Sequence, residues 1–335
     1  MQPSSRVTIR DVAARAGVSV ATVSKVINHR YGVAAETNAR VLAVIEELGY
    51  EASLVAQSLR NHRTNVIGIL VADIEPFSTE LLKGAADAIR ETGYELVVYS
   101  AGGRTGDNTG WERRYLSRLS GTLIDGAVLV TPTVVDVQYE APIVAVDPHT
   151  GPSSLLTVDS DNLHGGRLAT EHLLSLGHRR IAMLTGRADL QSAQLRERGY
   201  RQALSDAGVP VDEKLVRIGD YDPEIATAAA RDLLSTEDRP TAVFGANDLS
   251  AIATIEVARE LGLRVPEDLS VVGFDNVPES AFCTPPLTTV DQPIRRMGKR
   301  AVEDLIKLIR GEQPDTMHVT LETKLVVRQS ARALS

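Results

Sequence analysis

The hydrophobic pattern of the chain changes near residue 65. Before that point, apolar side chains recur three and four residues apart over residues 8–17, 20–28 and 35–48, a spacing that places them on one face of a helix. After it, short apolar runs alternate with longer stretches of helical spacing. The pattern predicts a small all-α head followed by an α/β body.

Cap and turn residues divide the head into helices. Thr8, with Asp11 three residues later, predicts the start of the first helix, and Gly17 predicts its end. Ser19 predicts the cap of the second helix, and Gly49 ends the third. Two short helices joined by a glycine-containing turn form a helix-turn-helix, whose second helix enters the major groove of DNA.

The second helix carries side chains suited to reading DNA. Its outward positions are Val20, Ala21 and Lys25; the two apolar side chains suit a thymine methyl group, and the lysine suits the acceptors of guanine. A solvated surface position is the alternative for each, and the surrounding motif favours DNA. Short polar side chains complete the candidate DNA-contacting set at Thr8, Ser19, Thr22, Ser24 and Asn28.

Charge is distributed unevenly along the chain. The net charge of the whole chain is −8, which excludes a protein that is basic throughout. Residues 1–63 nevertheless carry a net charge of +3, which leaves −11 on the remainder. A basic head on an acidic body fits a DNA-binding head, because phosphate neutralisation dominates affinity for DNA.

The body predicts two doubly wound parallel-sheet subdomains, because strands alternate with helices over a length that fits two such units. Ligands bind at the carboxyl ends of the strands in these folds, and two facing units form a cleft. Polar residues fall at the predicted strand ends: Asp73, Asp147, Asp159, Asp161, Asn247, Asp248, Asp275 and Asn276, with Tyr221 and Arg196 nearby.

This set suits a polyhydroxylated ligand, since carboxylates and amides bind hydroxyl groups, arginine spans two oxygens and an aromatic ring covers a sugar face. A helix N-cap is the alternative for any single strand-end Asp. That alternative is favoured for Asp248, and it applies to Asp161 as well.

Several kinds of site are missing from the sequence. Cys283 is the only cysteine, the seven histidines lack metal-ligand spacing, and no nucleotide-binding or GxSxG motif is present. We therefore expect no metal, no cofactor and no enzymatic activity. No apolar run is long enough for a bilayer and residues 1–10 lack a signal core, so we expect a cytoplasmic protein that is not bound to a membrane.

The run TIRDVAARAGVSVATVSKVIN, followed by VAAETNARVLAVIEELGYEASLVAQSLR, resembles the head of the lactose-repressor/galactose-repressor (LacI/GalR) family. The resemblance implies that residues 53–60 form a hinge helix in the minor groove, where Leu59 enters between base pairs and Ala56 and Ser58 face the groove or the partner hinge. Lys25 stands where the family more often has arginine, and Ala52 where proline is usual.

The body resembles the effector domain of the same family, which is similar to periplasmic sugar-binding proteins, through RPTAVFGANDLSAIATIEVARELGLRVPEDLSVVGFDN and TPPLTTVDQP. The segment DIEPFSTELL is compressed relative to the common DxxNPFF pattern. The resemblance implies effector contacts at Phe77, Asp147, Ser192, Arg196, Tyr221, Asn247, Asp275 and Gln292.

From these observations we predict four segments: a head at residues 1–52, a hinge at 53–63, a first effector subdomain at 64–161 plus 293–319, and a second at 162–290 plus 320–331. The predicted function is a homodimeric repressor of carbohydrate-use genes that binds a palindromic double-stranded operator. Its effector is expected to be a mono- or oligosaccharide, with a purine or another metabolite as the alternative. A solute-binding protein of a transport system and a sugar-active enzyme are the other classes considered.

Overall fold

The structure is a computed structural model that describes residues 7–27, 31–50, 63–102, 110–119, 123–133, 141–150 and 154–334. The chain divides into two compact units, Met1–Thr64 and Asn65–Ser335. The first unit is the head, with helices α1 (Ile9–Ala16), α2 (Val20–Ile27) and α3 (Ala35–Leu48). These are the three helices that the apolar spacing predicts.

The head is stabilised by a small core and by its caps. Apolar side chains from all three helices are buried together, among them Val12, Val23 and Val41. The Asp11 carboxylate accepts hydrogen bonds from the Thr8 backbone N–H (2.8 Å) and hydroxyl (2.7 Å), which confirms the predicted start of α1. These hydrogen bonds lower the pKa of Asp11.

The body contains two six-stranded sheets with the same layout. Helices of the body are α4 (Pro76–Ala88), α5 (Trp111–Leu119), α6 (Asn162–Ser175), α7 (Gln191–Asp206), α8 (Pro223–Leu234), α9 (Asp248–Glu260), α10 (Pro278–Phe282) and α11 (Ile294–Ile309). Its strands are β1 (Val66–Val71), β2 (Glu95–Ser100), β3 (Gly126–Val130), β4 (Ile143–Val146), β5 (Leu156–Ser160), β6 (Ile181–Thr185), β7 (Val216–Ile218), β8 (Ala242–Gly245), β9 (Ser270–Asp275), β10 (Thr288–Asp291), β11 (His318–Leu321) and β12 (Lys324–Val326).

Strand order is β11-β5-β4-β3-β1-β2 in the first sheet and β12-β10-β9-β8-β6-β7 in the second. All of these neighbours are parallel except β10 and β12. Central strands such as β1 and β9 are buried along their whole length, as expected when helices cover both faces of a sheet. The predicted fold of a helical head and two parallel-sheet subdomains is confirmed.

Three details differ from the sequence-based expectations. The apolar spacing of the sequence predicts a helix over residues 80–92, whereas helix α4 already begins at Pro76, a residue that is well tolerated in the first turn of a helix. Asp159 lies within β5 rather than after it. Strand β11 pairs with β5 through Thr320 and Leu321, so the first subdomain extends two residues past the predicted boundary at residue 319.

The two subdomains are joined by three crossovers, each one or two residues long: residue 161, residues 292–293 and residues 322–323. Asp161 donates its backbone N–H to the Leu321 carbonyl (2.9 Å), and the Thr323 hydroxyl donates to the Asp161 carbonyl (3.2 Å). The Ser160 hydroxyl donates to the Gln292 side-chain oxygen (2.8 Å). The crossovers therefore contact one another and form one hinge region.

Each subdomain also has a pair of helices whose backbones are in close contact at glycine. In the first, a Cβ added to Gly84 of α4 would lie 1.9 Å from the Arg295 carbonyl oxygen, and one added to Gly298 of α11 would lie 2.1 Å from the Leu81 oxygen. In the second, Gly166 of α6 and Gly199 of α7 make the same kind of reciprocal contact. Larger residues at these positions would separate the helices.

Candidate functional site

The predicted DNA-reading face of the head is present on α2. Val20, Ala21 and Lys25 are exposed, with 40% of Val20 accessible to solvent, while Val23 and Val26 are buried against α1 and α3. The apolar stripe therefore orients the helix so that the three predicted base-contacting positions face outward. Their contact with bases remains a prediction.

Two of the candidate phosphate-contacting hydroxyls also fix the start of α2. The Ser19 hydroxyl accepts the Thr22 backbone N–H (3.1 Å) and lies 2.9 Å from the Thr22 hydroxyl. Ser24 is partly buried, and Thr8 is exposed at the start of α1. Asn28, Ala56 and Leu59 lie outside the described residues. Tyr31, which the sequence analysis did not select, is fully exposed, and a Cβ added to the next residue, Gly32, would lie 3.9 Å from Lys25 Nζ.

Arg196 lies at the centre of the candidate effector site in the body. It extends from α7, is only 3% exposed, and donates hydrogen bonds to the Asn162 side-chain oxygen (2.8 Å) and to the Ala246 carbonyl (2.6 Å). Its guanidinium carbon lies 3.7 Å from the centre of the Phe274 ring. Contacts within the second subdomain alone thus hold the arginine in place.

Asp275, at the end of β9, faces this arginine at 3.5 Å. The Gln292 side-chain amide donates to the same carboxylate oxygen (2.5 Å), and Gln292 also accepts from Ser160. Burial raises the pKa of Asp275 to about 6, although Arg196 opposes this rise. One side chain in a crossover therefore connects Asp275 of the second subdomain with β5 of the first.

Asp147, at the end of β4, contributes a third charged group from the first subdomain. Burial raises the pKa of Asp147, and the charge of Arg196 opposes this. Buried Ser192, in the first turn of α7, lies near both Asp147 and Tyr221. Six predicted effector contacts are therefore brought to one place: Asp147, Ser192, Arg196, Tyr221, Asp275 and Gln292.

Tyr221 covers the same site. A Cβ added to Gly186 would lie 2.2 Å from its ring, so only glycine leaves room for the tyrosine there. The hydroxyl of Tyr221 is buried and has no hydrogen-bond partner among the residues that the structure describes. Burial raises the pKa of this hydroxyl to about 12, so it remains a hydrogen-bond donor at neutral pH.

The structure corrects the prediction that Asp248 caps the following helix. Asn247 is the N-cap of α9, and its side-chain oxygen accepts the Ser250 N–H (3.0 Å). Asp248 is instead fully buried and accepts hydrogen bonds from the Thr289 hydroxyl (2.5 Å) and the Val277 N–H (2.9 Å). The cap interpretation holds for Asp161, whose carboxylate accepts the His164 N–H (2.9 Å).

Phe77 packs against the core of the first subdomain, and its predicted contact with an effector stays a prediction. It lies in the first turn of α4, partly buried against the hydrophobic core of the first subdomain. Ser78 is buried and donates its hydroxyl to the Asp73 carbonyl (2.8 Å). The described contacts of both residues are therefore structural.

Glu75 is an acidic residue close to Asp275 of the candidate effector site, and the sequence analysis missed it. It precedes α4, and burial raises the pKa of its carboxyl to about 7, assisted by the charges of Asp275 and Asp73. The sequence did contain one signal for Glu75, because this residue lies within the compressed DIEPFSTELL segment that departs from the family pattern.

The two subdomains also meet at His149. The His149 carbonyl accepts the Gln191 N–H (3.0 Å), and its Nδ1 lies 3.3 Å from an Asp189 carboxylate oxygen. Burial, more than the nearby Arg187, lowers the pKa of His149. This contact lies beside the start of α7, the helix that carries Arg196.

Within the described ranges, no group of three or more histidine, cysteine or acidic side chains could hold a metal ion. Over the same residues, no helix is both long enough and apolar enough to cross a membrane.

Comparison with known proteins agrees with both parts of the structure. Residues 8–53 match the profile described as bacterial regulatory proteins, lacI family, and residues 170–331 match the periplasmic binding protein-like domain. The chain is 35% identical over 338 residues to the HTH-type transcriptional repressor PurR of Photobacterium profundum, covering 98% of this chain and 99% of the relative.

Solved structures give the same result. A transcriptional regulator CelR–cellobiose complex is 36% identical and superposes with a TM-score of 0.73 over 97% of this chain and 100% of the other. The lac repressor dimer bound to operator and the anti-inducer ONPF is 29% identical, with a TM-score of 0.85 over 98% and 99% of the two chains. This chain belongs to the lacI family of bacterial transcriptional regulators, with a helix-turn-helix head and an effector-binding, periplasmic-binding-protein-like body.

Proposed function

We propose that this regulator is a repressor of carbohydrate-use genes. It binds a palindromic operator as a homodimer in the cytoplasm, and a sugar in the cleft of the body controls that binding. The observation that carries the effector assignment is the buried group around Arg196, which combines carboxylates, a guanidinium and an unpartnered Tyr221 hydroxyl at the carboxyl ends of the strands. A polyhydroxylated ligand supplies the matching donors and acceptors.

The relatives support both halves of this proposal. One similar structure is described as a complex with cellobiose, and another as a dimer on its operator. In the head, Val20, Ala21 and Lys25 of α2 would read base edges, and residues 53–60 would enter the minor groove through Leu59. A symmetric dimer presents two such heads to two half-sites, which requires a palindromic sequence.

The contacts of Asp275 suggest how the cleft communicates with the rest of the molecule. Gln292 binds both Asp275 and Ser160 within the hinge region. A ligand that draws the Asp275 carboxylate into new hydrogen bonds changes the contacts of this crossover. Such a ligand favours one arrangement of the subdomains and thereby shifts the operator-binding equilibrium.

The first test is thermal unfolding of the full chain against a panel of mono- and oligosaccharides, including cellobiose, together with adenine, guanine and hypoxanthine. A ligand that binds only the folded state raises the melting temperature. We expect a rise with a sugar and its loss in Asp275→Asn. The matched control is Lys25→Ala, which should keep the thermal shift because its substitution lies in the head.

The second test is operator binding. Selection from random DNA should yield a palindromic site, and fluorescence anisotropy with that site should show that the sugar changes its affinity. A rise in melting temperature with purines alone would overturn the sugar assignment. A selected site without two-fold symmetry would overturn binding as a symmetric dimer.

A further inference from the structure

Glu75 occupies an N-cap position without acting as a cap. Its backbone carbonyl accepts the Thr79 N–H (2.9 Å), whereas its side chain makes no cap hydrogen bond to α4. Pro76 follows it and has no N–H to offer. The partly buried carboxyl forms no hydrogen bond or ion pair with any residue that the structure describes.

The surroundings of Glu75 are acidic. Asp73 approaches from the loop after β1, and Asp275 approaches from the other subdomain; both charges, together with burial, raise the pKa of the Glu75 carboxyl to about 7. Arg196 offsets the charge of Asp275 and of Asp147, but no cation offsets that of Glu75 within the described structure. Negative charge therefore exceeds positive charge on this side of the cleft.

A second polar group near Asp275 also lacks a partner. The Tyr221 hydroxyl is buried and makes no hydrogen bond of normal geometry to any described residue, although Ser192 lies near it. Burial raises the pKa of this hydroxyl, and the charges of Asp147 and Asp275 add to the rise. A buried hydroxyl whose hydrogen bonds are unmade destabilises the folded protein. The Glu75 carboxyl of the first subdomain and the Tyr221 hydroxyl of the second together indicate a ligand that donates and accepts hydrogen bonds.

We propose that Glu75 is a specificity-determining residue of the effector site. Its carboxylate accepts a hydrogen bond from a hydroxyl of an uncharged carbohydrate, opposite Asp275. With Asp275 and Asp147 it excludes ligands that carry a carboxylate or a phosphate. This inference rests on the proposed function, since it assigns the ligand class of the same cleft.

The test compares matched ligands on the full chain by thermal unfolding and calorimetry. The probes are glucose, gluconate and glucose 6-phosphate, and cellobiose with cellobionate. We expect binding by an uncharged member and none by its acidic or phosphorylated counterpart. Glu75→Gln should weaken that binding about 10-fold to 100-fold, the range for a hydrogen bond to a charged group. The control Glu237→Gln alters an exposed carboxyl of the second subdomain and should leave the affinity for the sugar unchanged.

The pH dependence of affinity separates a direct role from a structural one. A hydroxyl donor stabilises the ionised carboxyl, so affinity should rise about tenfold from pH 6 to pH 8 as Glu75 loses its proton. Asp73 and Asp275 face Glu75, and Asp147 and Arg196 face Asp275, so all five groups set the steepness of this rise. The rise should shrink in Glu75→Gln and persist in Glu237→Gln.

The outcomes also separate this inference from the proposed function. Binding of an acidic or phosphorylated probe, unchanged affinity in Glu75→Gln, or no binding by any uncharged sugar would overturn the role of Glu75. If instead an uncharged sugar binds through Glu75 but leaves operator affinity unchanged, the regulatory proposal fails and the specificity assignment stands.

Discussion

Arg196 offers a quantitative test of how the candidate effector site is built. Replacement by methionine keeps an unbranched side chain of similar length while removing the charge and every N–H group. Two hydrogen bonds, at 2.8 and 2.6 Å, are lost, and the buried Asp275 carboxylate loses its cation. Each hydrogen bond from a charged donor contributes roughly 1.5 to 3 kcal/mol. Breaking a buried ion pair by removing one partner costs about 3 to 5 kcal/mol in total. We expect Arg196→Met to lower the free energy of unfolding by an amount in that range.

The loss should depend on pH in a defined direction. Arg196 lowers the pKa of both Asp275 and Asp147, so without it both folded-state values rise further above those of the unfolded chain. A carboxyl whose folded pKa is raised favours folding at low pH, and that contribution is lost as the pH rises through the folded pKa. Arg196→Met should therefore be less destabilising at pH 5 than at pH 8.

Urea unfolding measures this loss with two probes. Trp111 is the only tryptophan, is buried in the first subdomain and reports on that part by fluorescence, while circular dichroism reports on the whole chain. Arg198→Met is the matched control, because Arg198 is exposed on the same helix and should change stability by less than about 0.5 kcal/mol. A loss below about 1 kcal/mol in Arg196→Met would refute the assignment of a structural role to its buried contacts.

Three further predictions concern other parts of the chain. Lys25→Ala should weaken operator binding about 10-fold to 100-fold and should weaken random-DNA binding less, as measured by fluorescence anisotropy. Equal weakening of both would show that Lys25 only neutralises phosphate charge and does not read a base. Gly298→Ala should cost roughly 1 to 3 kcal/mol or more in urea unfolding, because its new methyl group would meet the Leu81 carbonyl, while the exposed Lys299→Ala should cost little. Glu75→Gln should stabilise the protein at pH 8 by on the order of 1 to 3 kcal/mol, since the folded pKa of about 7 exceeds the ordinary 4.5. This gain should vanish near pH 4, and a gain that is independent of pH would contradict the pKa assignment.

Local sequence signals were sufficient for much of the fold. The pairing of Thr8 with Asp11 is a contact three residues apart, and the glycines at 17 and 49 adopt the left-handed conformation with which helices end. Buried parallel strands appear as continuous apolar runs because both of their faces are covered. These features depend on neighbouring residues, so the sequence alone could predict them.

Features that depend on distant residues were not predictable in this way. Asp248 was interpreted as a cap because it precedes a helical stretch, but its carboxyl binds Thr289 and Val277, which come from other elements. Glu75 was not selected, because its importance comes from its proximity to Asp275 of the other subdomain. The stacking of Arg196 on Phe274 likewise joins α7 to β9.

The three crossovers restrict how the body can change shape. Together they contain five residues, and every other link between the subdomains is non-covalent. Any reorientation must therefore be absorbed by the backbone angles of residues 161, 292–293 and 322–323, while the glycine-packed helices move as rigid bodies. Because these segments are hydrogen-bonded to one another and to the strands beside them, we expect a rotation about the hinge region rather than a sliding of one subdomain along the other. Gln292 lies in this hinge region. A small angular change there produces its largest displacement in the parts of the two subdomains that are farthest from the crossovers.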